Sequence, residues 1–215
     1  MSETLNEISE WLQKGRAPKV KAAVNKALEE GIPASTILSD GLLAGMDIIG
    51  QKFKNNEVFV PEVLVAARAM NRGVDVLKPY LVEAGVEDKG TVILGTVKGD
   101  MHDIGKNLVR MMMEGKGLKV IDLGVDVPVE KFLDAAREND ASLICCSALL
   151  TTTMGEMKNI VDAVKASEMN GKVKIMIGGA PITQTFCEQI GADCYTPDAA
   201  SAAEAALNFC LEAAS

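Results

Sequence analysis

A chain of 215 residues with 22 basic and 30 acidic side chains carries a formal charge of −8, which argues against a phosphate-backbone binder, because that task needs an electropositive footprint. At roughly 150 residues per domain the length accommodates a small and a medium domain with a sizeable core. One histidine and 4% aromatic residues leave few groups for acid–base chemistry near neutral pH. Met1-Ser2-Glu3-Thr4 lacks the basic start and apolar run of an export signal, and the apolar stretch from Leu143 to Leu150 is interrupted by Ser147. A soluble cytoplasmic chain that binds neither nucleic acid nor membrane is expected. The five cysteines show no CxxC spacing, which fits a reducing compartment, and the adjacent Cys145 and Cys146 read as small core hydrophobes.

From Leu5 to about Gly85 the pattern is helical. Leu5, Ile8 and Leu12 share one face and predict a first helix ending near Gly15. Pro18 suits the first turn of a second helix, whose stripe of Val20, Val24, Ala27 and Leu28 is closed by Gly31. Pro33 opens a third helix with Leu38, Leu42, Met46, Ile49 and Phe53 facing inward. Gly41, Gly45 and Gly50 thin that helix at about 1 kcal/mol each relative to Ala, which predicts a neighbour close to its backbone. Pro61 starts a fourth helix with a seam of Val63, Ala67, Met70, Val74, Leu77 and Leu81, as in a four-helix bundle.

The polar, glycine-bearing stretch from Glu83 to Gly90 marks a boundary near Glu87, giving a four-helix cap over 1–88 and a second domain over 89–215. Beyond it, β-rich runs at Thr91 to Val97, Lys119 to Leu123, Leu143 to Ser147, Val173 to Gly178 and Asp193 to Thr196 alternate with helical ones. Those helices are expected near Ile104 to Glu114, Val129 to Glu138, Met154 to Glu168, Ile182 to Ile190 and Ala199 to Ala213. The fold class is therefore α/β, with a Rossmann-like (flavodoxin-like), doubly wound, five-stranded parallel sheet. Ligands in such folds sit beyond the carboxyl ends of the strands, where the winding reverses.

The loop after the first strand, Gly95-Thr96-Val97-Lys98-Gly99-Asp100-Met101-His102-Asp103-Ile104-Gly105-Lys106-Asn107, is neither GxGxxG nor a P-loop, so the two common nucleotide cradles are missing from their expected place. It holds the only histidine. His102 reads either as a structural residue at a helix start or as a metal ligand whose second ring nitrogen donates to Asp100. One histidine with one or two carboxylates is too few for a structural zinc site. A metal here must bring its own equatorial ligands.

Asp100-x-His102-x-x-Gly105, followed by Ser147-x-Leu149 and Gly178-Gly179 at later strand ends, resembles the signature of cobalamin-binding domains. The helical segment ahead, with Phe59-Val60-Pro61, resembles the cap of methyl-carrying corrinoid proteins, similar to that of cobalamin-dependent methionine synthase. The resemblance covers essentially the whole chain. It implies cobalamin or a related corrinoid, bound with its own base off cobalt and His102 on as the axial cobalt ligand. Asp100 would be the partner of that imidazole, and Thr153 the hydroxyl member of the relay, where methionine synthase-like proteins carry Ser. Ser147 would hydrogen-bond the displaced base, Leu149 and Thr151 would line its pocket, and Gly178, Gly179 and Ala180 would leave room for the nucleotide tail.

In the histidine loop the resemblance places Gly99, Met101, Asp103, Ile104 and Gly105 against the cofactor, the glycines letting a bulky nucleotide loop lie against backbone where no Cβ intrudes, with ordinary turn and packing roles as the lesser reading. Tyr195, Asp198 and Ala199 match a region that touches the corrin edge in relatives. Met46, Phe59, Val63 and Met70 are apolar candidates over the upper cobalt face, although residues at helical spacing also serve a bundle core. The implied function is a methyl carrier cycling between cob(I)alamin and methylcob(III)alamin, non-catalytic on its own. Its partners would be a donor-specific methyltransferase, an acceptor methyltransferase of the tetrahydrofolate or coenzyme M type, and a reductive activase. Methanol, methylamines, betaines and methoxylated aromatics stay open as donors, and the alternative is a cobalamin-binding sensor or storage protein without transfer activity. A mutase would need a substrate barrel, a transcriptional sensor would need a DNA-binding module, and a receiver-like signalling domain leaves the histidine loop unexplained.

Overall fold

The computed structural model describes residues 2–84 and 88–213; the expected boundary near Glu87 falls on residues outside that range. The chain divides into two compact units, Met1–Glu87 with Gly115–Gly117, and Asp88–Glu114 with Leu118–Ser215.

The first unit is helical: α1 (Glu3–Gln13), α2 (Ala17–Glu29), α3 (Ala34–Thr36), a π-helical stretch (Ile37–Leu43), α4 (Ala44–Lys54) and α5 (Val60–Glu83). The Ser2 hydroxyl accepts from the Leu5 N–H at 3.3 Å and starts α1. The Glu62 carboxylate accepts the Phe59 N–H at 3.0 Å at the start of α5, so one backbone donor at each of these two helix starts finds a side-chain acceptor. The expected third helix is present but not uniform. Its π-helical stretch brings residues five apart onto one face, so Ile37 takes the inner position ahead of Leu42 and the expected Leu38 is only half-buried. Phe53 is half-buried as well, whereas Leu42, Met46 and Ile49 are core. The expected close neighbour is α1: a Cβ added at Gly45 would lie 3.1 Å from the Ser9 Cα, a contact only a glycine accommodates without displacement.

The second unit carries an all-parallel sheet of order β2-β1-β3-β4-β5, formed by β1 (Thr91–Thr96), β2 (Lys119–Asp122), β3 (Leu143–Ser147), β4 (Lys174–Gly178) and β5 (Cys194–Tyr195). Its helices are α6 (Ile104–Glu114), α7 (Val129–Glu138), α8 (Met154–Lys165), α9 (Gln184–Ile190) and α10 (Ala199–Ala213). The expected doubly wound architecture is therefore present. Two helix ends differ from expectation for local reasons. The Ser167 hydroxyl donates to the Val164 carbonyl at 2.8 Å and ends α8 short of Glu168, and the Thr183 hydroxyl accepts the Phe186 N–H at 3.2 Å, so α9 begins after Ile182.

The strands read as near-continuous apolar runs because both faces are covered. Ile93, Ile144, Ile175 and Ile177 face a core shared with Phe132, Met157, Ile160 and Val161, while Val92, Leu94, Cys145 and Met176 are buried on the alternate positions. Cys146 is likewise core, and burial pushes its thiol pKa up, out of the range of thiolate chemistry.

Candidate functional site

The strand order puts the winding reversal between β1 and β3. The connection after β1 leads through α6 to β2 on one side, that after β3 leads through α8 to β4 on the other, and the divergence opens a crevice at the strand ends. Two loops enter it: residues 97–103 after β1 and residues 148–153 after β3.

The Asp100 side chain is fully buried and joins the two loops. One carboxylate oxygen accepts the His102 backbone N–H at 3.1 Å and lies 2.7 Å from His102 Nδ1. The other accepts the backbone N–H groups of Leu149 at 2.7 Å and Leu150 at 3.1 Å, together with the Thr153 hydroxyl at 2.9 Å. Burial by itself would raise this carboxyl. The Leu149 N–H, the His102 ring, and the His102 and Leu150 N–H groups outweigh it and hold the pKa well below the usual carboxylate range. An ionised Asp100 can only accept, so His102 Nδ1 must donate and the lone pair is left on Nε2. The His102 side chain is 51% exposed, which keeps that ring nitrogen available to a ligand.

The Thr153 hydroxyl has one proton and two acceptors, Asp100 Oδ2 and the Leu150 carbonyl, each at 2.9 Å. It can serve only one of them at a time. Around the imidazole, Met101, Ile104, Leu149 and Leu150 are exposed at 68%, 77%, 41% and 41%. Large apolar side chains gathered at a strand-end crevice mark a surface built to be covered. Among the described residues no three His, Cys, Asp or Glu side chains converge to hold a metal ion, so His102 can supply one ligand and the rest must come with the metal.

The glycines divide into two kinds. A Cβ at Gly105 or Gly178 would meet nothing within 4 Å, leaving open surface beside the histidine loop and at the end of β4. Gly179, at φ +133, is committed internally: a Cβ there would sit 1.8 Å from the Ala148 carbonyl oxygen. An open glycine edge and a half-exposed imidazole with its lone pair outward, rimmed by apolar side chains, fit a bulky metal macrocycle with an extended tail.

The remaining expected positions are more scattered. Ser147 is half-buried at the end of β3, in register with Gly178, and Thr151 and Ala180 are exposed. The Asp103 carbonyl starts α6 by accepting the Asn107 N–H at 2.8 Å, and its carboxylate accepts the Asn107 amide at 3.1 Å. After β5, three strands from β1 and its histidine loop, Asp198 spends both carboxylate oxygens on Ser201, each at 2.8 Å, as a cap for α10. Ala199 is buried and Tyr195 half-buried. In the helical unit Met46, Val63 and Met70 are buried and Phe59 is 63% exposed.

Several participants carry no sequence signal. The buried Thr96 hydroxyl donates to the His102 carbonyl at 2.8 Å. Asp126 holds the Gly99 N–H at 2.7 Å. Lys106, next to the motif glycine, is buried, with its ammonium 2.6 Å from both carboxylate oxygens of Asp122 at the end of β2. The last pair anchors the first turn of α6. Partial burial works to raise the Asp122 carboxyl, but Lys106, the Gly124 N–H and Arg110 hold it below its ordinary value. A carboxyl lowered on folding adds stability that is complete above its ordinary pKa and is lost as pH falls below it. Lys106→Met should therefore cost about 2 kcal/mol at neutral pH, with the gap to the parent narrowing below about pH 4; urea titrations at several pH values check both points.

Residues 90–207 match the family model described as B12 binding domain, and residues 4–78 match a second model of the same description. The chain belongs to the B12 binding domain family. Dimethylamine corrinoid protein 2 of Methanosarcina acetivorans is 41% identical over 211 residues, covering 97% of each chain. Trimethylamine corrinoid protein of Methanosarcina barkeri is 42% identical over 189 residues, covering 86% of this chain and 87% of that one. Among solved structures, the methanol:cobalamin methyltransferase complex of Methanosarcina barkeri contains a chain with a TM-score of 0.87 and 30% identity, covering 97% of this B12 binding chain and 80% of that one. A cobalamin-binding protein from Desulfitobacterium hafniense follows at 0.80 and 30%, covering 95% and 98%. The expected cobalamin-binding, corrinoid-protein kinship is borne out, and the described helices include none long and apolar enough to cross a membrane.

Proposed function

We propose that this chain is the corrinoid protein of a methylamine methyltransferase system and carries a methyl group between two partner enzymes. The observation that carries the reading is the Thr153–Asp100–His102 chain at the winding reversal, which leaves a lone pair on His102 Nε2. The relatives named for dimethylamine and trimethylamine support a methylamine donor over methanol, a betaine or a methoxylated aromatic. The bound corrinoid supplies a metal centre able to take up and release a methyl group, and that chemistry is its own.

The protein orients and shields. His102 ligates through Nε2, with its ring fixed by Asp100 and Asp100 fixed by Thr153 and the Leu149 and Leu150 N–H groups. The open edges at Gly105 and Gly178 accommodate the displaced nucleotide tail, and the exposed Met101, Ile104, Leu149 and Leu150 offer apolar surface for the macrocycle to cover. Ligation and protonation compete for the same lone pair, so His102 can take a proton at Nε2 only when it is released. A donor-specific methyltransferase and an acceptor methyltransferase of the tetrahydrofolate or coenzyme M type act on the two sides of the cycle, with a reductive activase restoring the carrier.

His102→Ala, reconstituted with cobalamin, should show the optical spectrum of a base-off corrinoid with no protein ligand; a spectrum unchanged from the parent rejects the ligand assignment. The loaded parent incubated with isotope-labelled dimethylamine and its methyltransferase should acquire label. Failure with every methylamine, methanol and betaine system would point to the storage or sensor alternative.

A further inference from the structure

We propose that Asp126, in the loop after β2, is a positioning residue that holds the His102 imidazole in its ligating orientation. This rests on the corrinoid reading above and adds to it a residue outside all three motifs. Asp126 is exposed, so it does no work in the core, and it adopts φ +53, a left-handed conformation costly for a residue with a side chain. The strain is held in place by the neighbouring backbone: the Val127 N–H donates to the Thr96 carbonyl and the Thr96 N–H to the Gly124 carbonyl, each at 3.0 Å. What the conformation achieves is a double grip on the loop that carries the histidine. The Asp126 carboxylate accepts the Gly99 N–H at 2.7 Å, and its backbone N–H donates to the Asp100 carbonyl at 2.9 Å.

Gly99 sits at φ +81 and has the widest conformational freedom of any residue in that loop. A rotation there would shift the Asp100 and His102 backbone and tilt the ring that Asp100 holds 2.7 Å away. The grip removes that freedom. Without it only part of the population would present Nε2 correctly, and the apparent affinity for an axially bound cofactor would drop by that fraction. The effect acts on ligand orientation, since the Leu149, Leu150 and Thr153 donors that keep Asp100 paired come from the loop after β3 and not from the segment Asp126 grips.

The test compares Asp126→Gly, which meets φ +53 freely and removes the side chain while keeping the backbone N–H, with Asp126→Asn, which tolerates that φ and keeps an acceptor oxygen. Each is titrated with aquocobalamin and read by optical spectrum, alongside the thermal unfolding of the apo chains. Asp126→Gly should bind about fivefold more weakly and show a larger share of base-off, ligand-free spectrum, with apo unfolding close to the parent's. Asp126→Asn should restore most of the affinity and the parent spectrum. The inference is overturned if Asp126→Gly matches the parent in affinity and spectrum, if Asp126→Asn is no better than Asp126→Gly, or if the loss is matched by an equal collapse of apo stability. A parent chain that fails to bind aquocobalamin, or binds it without a histidine-ligated spectrum, overturns the corrinoid reading itself.

Discussion

Asp100→Asn should destabilise the apo chain by about 3 kcal/mol and also move the proton on His102 from Nδ1 to Nε2. The carboxylate accepts five hydrogen bonds on two oxygens, and an amide offers a single oxygen. If that oxygen takes the place facing Leu149, Leu150 and Thr153, the NH2 group faces His102. The His102 backbone N–H then loses its acceptor, and Nδ1 can face an N–H donor only by giving up its own proton. The neutral ring then carries its proton on Nε2, where the lone pair is needed for ligation. The consequence is large because loss of stability and loss of the ligand come from one substitution. With a single histidine in 215 residues, a 15N-histidine NMR spectrum has one imidazole to report. It should show the Nδ1-protonated form in the parent and the Nε2-protonated form in the variant. An unchanged tautomer would sink the orienting role assigned to Asp100. Thr153→Ala, which removes one donor of five, should cost only about 1 kcal/mol and leave the tautomer alone.

The second large effect separates two adjacent glycines. Gly179→Ala forces a Cβ to 1.8 Å from the Ala148 carbonyl oxygen at φ +133. The Cβ is fixed to its own backbone and the oxygen it meets is backbone too, so relief requires moving the loop after β3 that delivers the Leu149 and Leu150 N–H groups to Asp100. A loss of about 3 to 4 kcal/mol is expected, combining strain and clash. Gly178→Ala places its Cβ in open space and should change apo stability by less than about 0.5 kcal/mol. If the edge of β4 receives the nucleotide tail, the same methyl should weaken cobalamin binding about tenfold or more. Chemical unfolding should single out Gly179→Ala, while cobalamin titration should show Gly178→Ala losing affinity with its apo stability intact. Two variants that behave alike in both measurements would reject that separation.

Much of the fold was legible because hydrophobic periodicity is local. The apolar runs around β1, β3 and β4 are continuous because both sheet faces are covered, and the stripes of α6, α7 and α10 are bounded by polar loops. The third helix shows where periodicity stops being sufficient. A stripe read at 3.6 residues per turn puts Leu38 inside, and the wider π-helical stretch substitutes Ile37. The histidine loop was legible for a different reason. A strand-to-helix loop without a phosphate cradle, holding the only histidine, constrains the chemistry by what it lacks.

The sequence by itself determined the order of elements, the two-part organisation into helices and a parallel sheet, and the identity of His102 with Asp100 two residues before it. Only the tertiary structure decided what Asp100 is. Three of its five donors lie 49 to 53 residues away, and they arrive because β3 pairs beside β1. It also separated Gly178 from Gly179 and brought Asp126 to Gly99. Burial is encoded in the pattern of neighbours along the chain, whereas the satisfaction of a buried charge depends on which distant backbone groups the sheet order delivers to it.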